Sequence, residues 1–160
     1  MTKDEFAARV GACEKNLYLS ALSVTRNSQD AEDAVAEAVC TAWERICDLR
    51  DADRFDGWLL QIALNEAKRI RRKSRTYADI DGLKDSFGED MDTGGMEFFD
   101  IISRFKTDDE GRRILSLRFF YDYTIAETAR IMNKPENTVK AKYYRLLEKL
   151  REQYGKEEKI

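Results

Sequence analysis

The chain has 160 residues, 42% of them hydrophobic and 37% charged, with 31 acidic against 28 basic side chains and no histidine. That length holds one ordinary domain or two small ones, and it excludes a large enzyme with separate cofactor and substrate domains. The missing histidine excludes the serine and cysteine triads that use it and all His-containing zinc sites, so neither catalysis nor a cofactor is expected. Three cysteines, Cys13, Cys40 and Cys47, make an odd count, and the opening MTKDEFAARV has no charged-then-apolar signal pattern. A reducing cytoplasm is the expected location. No apolar run approaches the roughly 18 residues that span a bilayer, so no membrane insertion is expected. With one proline and eight glycines, the composition predicts an all-α fold.

Phe6, Val10, Cys13, Leu17 and Ala21 recur at steps of three and four, which predicts a first helix over Lys3 to Val24. Polar Asn27-Ser28-Gln29-Asp30 ends it. Asp30 is placed to cap a second helix, with Glu32 and Asp33 near its positive end. The inward face of that helix is predicted to be Val35, Ala38, Val39, Ala42, Trp43 and Ile46. Residues 48–54 have neither helical nor strand period and are expected to form a loop. A third helix follows Phe55 and Asp56, with Trp58, Leu59, Ile62, Ala63 and Ile70 as its apolar stripe. Its last turns carry Lys68, Arg69, Arg71, Arg72, Lys73 and Arg75 with only Glu66 to offset them, more cations than a helix C-terminus requires. A polyanion is the expected partner.

Residues 76–95 are acidic, with Asp79, Asp81, Asp85, Glu89, Asp90 and Asp92 opposed by Lys84, and bury too little apolar surface to fold alone. They are expected to be a flexible linker between a three-helix domain, residues 1–75, and a second helical domain, residues 96–153. A charged tail, residues 154–160, closes the chain. In the second domain Phe98, Phe99, Ile102 and Phe105 mark one helix, which Asp108-Asp109-Glu110-Gly111 is expected to break. Ile114, Leu115 and Leu117 begin another. Thr124 and Glu127 form a T-x-x-E capping box for a third, with Ile125, Ala129 and Met132 inward. After a turn at Asn133-Lys134-Pro135-Glu136, a fourth helix runs from Asn137 to Arg151 around Val139, Tyr143, Leu146, Leu147 and Leu150.

The last two helices have the layout of a helix-turn-helix, small Ala129 allowing a close crossing and Val139 filling the angle. Pro135 fixes the turn. Asn137, Thr138, Lys140, Lys142 and Arg145 then lie where a recognition helix meets base edges and phosphates. From Arg112 to Arg151 ten basic residues stand against Asp122, Glu127, Glu136 and Glu148. This local excess favours DNA, while the acidic remainder weakens unaided binding.

The run Asp30-Ala31-Glu32-Asp33-Ala34-Val35-Ala36-Glu37, then Ala42-Trp43, then Phe55-x-x-Trp58-Leu59-x-x-Ile62-Ala63-x-Asn65 and the basic stretch to Arg72 resemble region two of bacterial sigma-70 factors. Leu115-Ser116-Leu117-Arg118-Phe119-Phe120, Ile125-Ala126-Glu127 and Thr138-Val139-Lys140-Ala141-Lys142 resemble region four. Together they resemble the extracytoplasmic-function class, group four, of the RNA polymerase sigma factors. Two positions depart from the usual pattern: Ala36 stands where the family commonly has glutamine, and Asn137 where it commonly has glycine.

The resemblance implies a protein that binds core RNA polymerase, directs it to promoter DNA and helps open the duplex. Asp30, Glu32, Asp33 and Glu37 match positions that dock on the polymerase clamp helices. The loop with Arg50, Asp51 and Asp53, together with Asn65, Lys68, Arg69 and Arg72, matches the surface that takes an extruded base of the minus-ten element. Pro135, Asn137, Thr138, Lys140, Lys142 and Arg145 match the reader of the minus-thirty-five element. Trp58 is expected in the core because of Leu59 and Ile62, with a wedge at the melting edge as the alternative. Leu117, Phe120 and Tyr121 are not assigned between the core and the polymerase flap. The two elements lie about 50 Å apart, given about 34 Å per turn. A flexible linker of about 20 residues averages about 25 Å and extends to about 70 Å, so it must be held stretched. The resemblance also implies an anti-sigma factor, commonly membrane-anchored, as a partner.

Two rival readings differ in kind. A helix-turn-helix alone also fits an autonomous repressor binding an operator, although no dimerising heptad follows Arg151. A metal or redox site on Cys40 and Cys47 fits no usual zinc spacing.

Overall fold

The computed structural model describes residues 1–81 and 93–154, with side chains over 1–75 and 98–154. Its first helix, α1 (Lys3–Thr25), starts at a full capping box: the Thr2 hydroxyl accepts from the Glu5 amide at 3.1 Å, and the Glu5 carboxylate accepts from the Thr2 amide at 3.0 Å. Arg26, in the left-handed region at φ 57°, ends it.

The second helix, α2 (Ser28–Glu44), is capped by Asn27, whose side-chain oxygen accepts from the Asp30 amide at 2.9 Å. Asp30 is therefore not the cap expected from sequence. It sits in the first turn, and its carboxylate accepts the Ser74 hydroxyl at 2.9 Å. The buried stripe of α2 is alanine, with Ala31, Ala34, Ala38 and Ala42 fully enclosed. Small residues at these steps let helix axes approach closely, and the larger neighbours are pushed to the flanks. Val35, Val39 and Ile46 are accordingly half-buried, and Trp43, predicted to point inward, is 39% exposed with its ring 5.1 Å from that of Phe6.

Two single-turn 3₁₀ helices, Ile46–Asp48 and Ala52–Arg54, give local order to the predicted loop. They lead into α3 (Phe55–Asp81). Its buried residues are Phe55, Leu59, Leu60, Ala63, Leu64 and Ala67, while Trp58, Ile62 and Ile70 are half-buried. The stripe is turned toward Leu60 and Leu64 because α3 packs on α1 and α2 together. Helix continues through residues 76–81, and the next helix, α4 (Thr93–Arg104), begins within the stretch read as linker. Extending an existing helix costs far less than starting one, which carries α3 through its basic stretch and on to Asp81. The rest of that stretch, 82–92, and the tail from 155 lie outside the described residues.

The second domain adds α5 (Asp109–Phe119), α6 (Ile125–Met132) and α7 (Glu136–Tyr154) to α4. Asp108 is an N-cap, accepting from the Gly111 amide at 2.8 Å, so the acidic run that was expected to break a helix also starts one. Arg112 is only 9% exposed and donates to the carbonyls of Ile102, at 2.6 Å, and Phe105. It thereby satisfies acceptors that the end of α4 leaves over. Burial first, then Arg71, draws its pKa down to about 10. Thr124 caps α6 by accepting from the Glu127 amide at 3.1 Å, but the Glu127 carboxylate takes the Thr124 hydroxyl rather than its amide, so the box is half formed. Asn133, at φ 54°, occupies the left-handed position of the turn, and the Pro135 carbonyl accepts the first amides of α7. Asn137 lies inside α7, so its departure from the usual glycine leaves the turn geometry to Asn133. Val139, Tyr143 and Leu146 are buried as the periodicity predicts.

The two helical units pack against one another. One buried cluster runs from Phe6, Leu17 and Leu59 to Leu117, Ile131 and Val139. Phe99 of α4 joins a second cluster with Ala21, Leu22, Ala31, Ala34 and Ala67, while Phe98 meets Phe119 edge-on at 4.9 Å.

Candidate nucleic-acid and polymerase interfaces

On α3 the residues Trp58, Gln61, Asn65, Lys68 and Arg72 recur at steps of three and four, which puts them on one face. The stripe begins beside the 3₁₀ loop. Loop and stripe share a cavity of about 180 Å³ whose lining includes Arg50, Asp51, Arg54, Trp58 and Gln61. Trp58 is half-buried and forms part of that wall, so it is neither a wholly enclosed core residue nor a free wedge. Arg50 and Asp53 are exposed, whereas Asp51 is engaged in the turn, accepting from the Asp53 amide at 3.0 Å. Along the helix, Arg69 pairs with Glu66 at 2.9 Å and Lys68 with Asp109 of α5. Desolvation lowers the Lys68 pKa, with Arg72 and Arg112 adding like-charge repulsion. Arg54 and Gln61 belong to this site but were not picked out from sequence, because neither breaks the polar pattern of its surroundings.

The acidic group on α2 divides by exposure. Glu32, Asp33 and Glu37 face solvent, Asp33 accepting from the Gln29 amide nitrogen at 3.1 Å, whereas half-buried Asp30 ties α2 to α3 through Ser74. Beside Glu32 a groove of about 790 Å³ opens between α1 and α2, its apolar wall formed by Val10, Tyr18, Val35 and Val39. Partial burial, then Glu32, raises the Tyr18 pKa.

On α7, Asn137, Thr138, Lys140 and Arg145 are exposed. Tyr144, 53% exposed, stands among them and was missed, because the search for DNA contacts on that helix followed charged, amide and hydroxyl-bearing aliphatic side chains. Lys142 sits apart, half-buried, its ammonium 2.7 Å from Asp108 and 3.9 Å from Glu110. Lys134 reaches Glu110 at 2.9 Å. The Lys142 hydrogen bond, then the Gly111 amide, lowers the Asp108 pKa; Lys134 does the same for Glu110. Of the unassigned apolar residues, Leu117 and Tyr121 are buried and Phe120 is half-buried. Among the described residues no group of three or more His, Cys, Asp or Glu is arranged to hold a metal ion. Cys40 and Cys47 are exposed, and buried Cys13 has its thiol pKa pushed up to about 12, mainly by desolvation.

Residues 10–76 match the family model of sigma-70 region 2, and residues 110–150 that of sigma-70, region 4. The RNA polymerase sigma factor SigV of Bacillus subtilis (strain 168) is 30% identical over 155 residues, spanning 91% of this chain and 88% of that protein. This chain belongs to the extracytoplasmic-function class of the sigma-70 family. The ECF RNA polymerase sigma factor SigW of the same organism is 28% identical over 167 residues, spanning 94% of this chain and 89% of that one. In fold, the chain matches the sigma factor RpoE from Bartonella quintana, solved in complex with the anti-sigma factor NepR. The TM-score is 0.65 at 20% identity, covering 92% of this chain and 95% of that one. A sigma factor binds core RNA polymerase and directs it to promoter DNA without itself making or breaking covalent bonds. These relationships give no support to the repressor alternative.

Proposed function

We propose that the sigma factor divides promoter recognition between the α3 face and the α7 face, with the exposed carboxylates of α2 docking on polymerase. The reading rests on one observation above the rest: the exposed loop at Arg50 and Asp53 leads into a polar and cationic stripe on α3 whose Asn65, Arg69 and Arg72 are exposed. Extruding a base costs a few kcal/mol, and a shaped pocket flanked by phosphate-binding side chains offsets it. In this reading Arg50, Asn65, Lys68, Arg69 and Arg72 hold the opened minus-ten strand, with Asp51 and Asp53 shaping the loop. Asn137, Thr138, Lys140 and Arg145 read the minus-thirty-five element, Lys142 joining them once released from Asp108, and Pro135 sets the approach. Glu32, Asp33 and Glu37 contact the polymerase, and Asp30 holds their helix in place. The protein acts in the cytoplasm; none of its described helices is long and apolar enough to cross a membrane. The groove between α1 and α2 offers an apolar seat for an anti-sigma factor.

The test is transcription in vitro with purified core polymerase over a promoter library. Transcripts are expected to start at sites sharing two separated elements. Core polymerase that gains no promoter selectivity from the protein would reject the proposal.

A further inference from the structure

The loop between α2 and α3 takes its shape largely from within. The Leu49 amide donates to the Ile46 carbonyl at 3.2 Å, the Arg54 amide to the Asp51 carbonyl at 3.0 Å and the Asp53 amide to the Asp51 carboxylate at 3.0 Å. Bonds between near neighbours shape a turn but do not settle where it stands against the rest of the fold. That is settled from α1. Arg9, 43 residues away in the chain, donates from Nη1 to the Ala52 carbonyl at 2.7 Å. Among the described residues this is the only hydrogen bond that ties residues 48–53 to a distant part of the chain. A charged donor makes such a bond about twice as strong as a neutral one.

The same guanidinium lies over the ring of Phe55, the first residue of α3, with its Cζ 5.8 Å from the centroid, within the range of a cation–π contact. Phe55 is 1% exposed and is itself fixed, edge-on to Phe6 at 5.7 Å and tilted against Trp58 at 6.2 Å. Phe6 stands one helical turn before Arg9, so α1 grips Phe55 with an apolar residue and a cation together. Arg9 thus reaches both walls of the loop cavity at one remove. Ala52 lies between Asp51 and Asp53, and Phe55 packs on Trp58, which lines the cavity with Arg50 and Asp51. The side chain is exposed and buries no core surface, so packing alone does not call for arginine there. Its charge also offsets part of the repulsion that Asp51 and Asp53 exert on a phosphate backbone.

We propose that Arg9 is a positioning residue for the minus-ten loop: held between the Ala52 carbonyl and the Phe55 ring, its guanidinium sets where the loop stands against the α3 stripe, and so which base the opened strand seats there. This rests on the assignment of the loop to the minus-ten element. Arg9 needs no contact with DNA, since it acts through Ala52 and Phe55. Discrimination in a shaped pocket depends on where its walls stand, and a small displacement of one wall erodes it without unfolding the protein.

The test is transcription in vitro by core polymerase and the full chain over a promoter library randomised in both elements. Arg9→Ala should reduce the preference between the best and worst base at the extruded minus-ten position about fivefold. Preferences in the minus-thirty-five element should stay as in wild type, and the thermal melt should shift little because the side chain is exposed. Arg9→Lys, which keeps the charge and a donor but not the planar fork, should restore most of the lost preference. Hydrogen exchange of the free protein should be several-fold faster at the amides of residues 48–54 in Arg9→Ala and unchanged on α7. A merely structural role would lower transcription from every promoter alike with base preference intact; that result, or unchanged exchange in the loop, would overturn the proposal. Arg50→Ala separates the two failures. If it alters minus-ten preference and Arg9→Ala does not, the positioning role falls and the loop assignment stands; if neither alters it, both fall.

Discussion

The two faces proposed to meet DNA have different surroundings. The face on α7 stands clear, with Asn137, Lys140, Tyr144 and Arg145 in solvent, while the face on α3 is exposed at Asn65, Arg69 and Arg72 but meets α5 through Gln61 and Lys68. The domains differ in the same sense internally. The first is knit by an apolar interlock in which four fully buried alanines let α2 settle on its neighbours, whereas the second depends in part on a buried guanidinium and a set of lysine bridges. The contrast teaches that a small domain can add polar stitches to its apolar core and extend one of them, Asp109 to Lys68, to its neighbour.

The largest expected effects come from breaking each domain by its own means. Arg112→Ala removes charge-assisted bonds to Ile102 and Phe105 and leaves their carbonyls without those donors, a loss of about 3 kcal/mol or more. Leu60→Ala in the first domain should cost about 2–5 kcal/mol through an ordinary cavity. Denaturant melts of the two variants check both, and a near-neutral Arg112→Ala would erase the contrast between the domains.

Function sharpens the comparison next. Lys140→Ala with Arg145→Ala should lower transcription from promoters that depend on the upstream element about tenfold or more, with little change in thermal stability because both side chains are exposed. Arg50→Ala should leave closed-complex formation intact and slow duplex opening several-fold, read by permanganate footprinting of unpaired thymines. Glu37→Lys should weaken capture of core polymerase several-fold at low salt and less at high salt, measured by competition between sigma factors.

Much of this was legible in the residues themselves. The seven-helix order, the helix-turn-helix and the inward positions of Val139 and Leu146 follow from apolar spacing. The loop and basic stretch on α3 carry their own signal. What escaped had physical reasons. The cap of α2 fell to Asn27 because the helix starts at Ser28, which puts Asp30 inside the first turn, where its carboxylate accepts the Ser74 hydroxyl. Trp43 lies outward because a stripe of alanine leaves no room for it, which a reading weighted by side-chain size gets backwards. The contacts between the two helical units had no periodic signature, since pairs such as Tyr123 with Asp56 and Ile131 with Gly57 join distant residues that are individually ordinary.

The smallest expected effect is on pH. Asp108 and Glu110 have lowered native values, so their bridges contribute fully above the ordinary values of 3.8 and 4.5 and are lost as pH falls below them. Asp108 is largely exposed and half-buried Glu110 still reaches solvent, so the loss should be modest. A melt series from pH 6 to pH 3 should show it in wild type and less in Asp108→Asn with Glu110→Gln.

The most direct measurement of the central claim follows the distance between the two domains as polymerase is added. With Cys40 and Cys47 replaced by serine, donor and acceptor dyes at Glu44→Cys on α2 and Gln153→Cys on α7 report it by energy transfer. Transfer should be efficient in the free protein and fall sharply on binding core polymerase. Transfer that is already weak in the free chain, or that does not change when polymerase binds, would contradict the account.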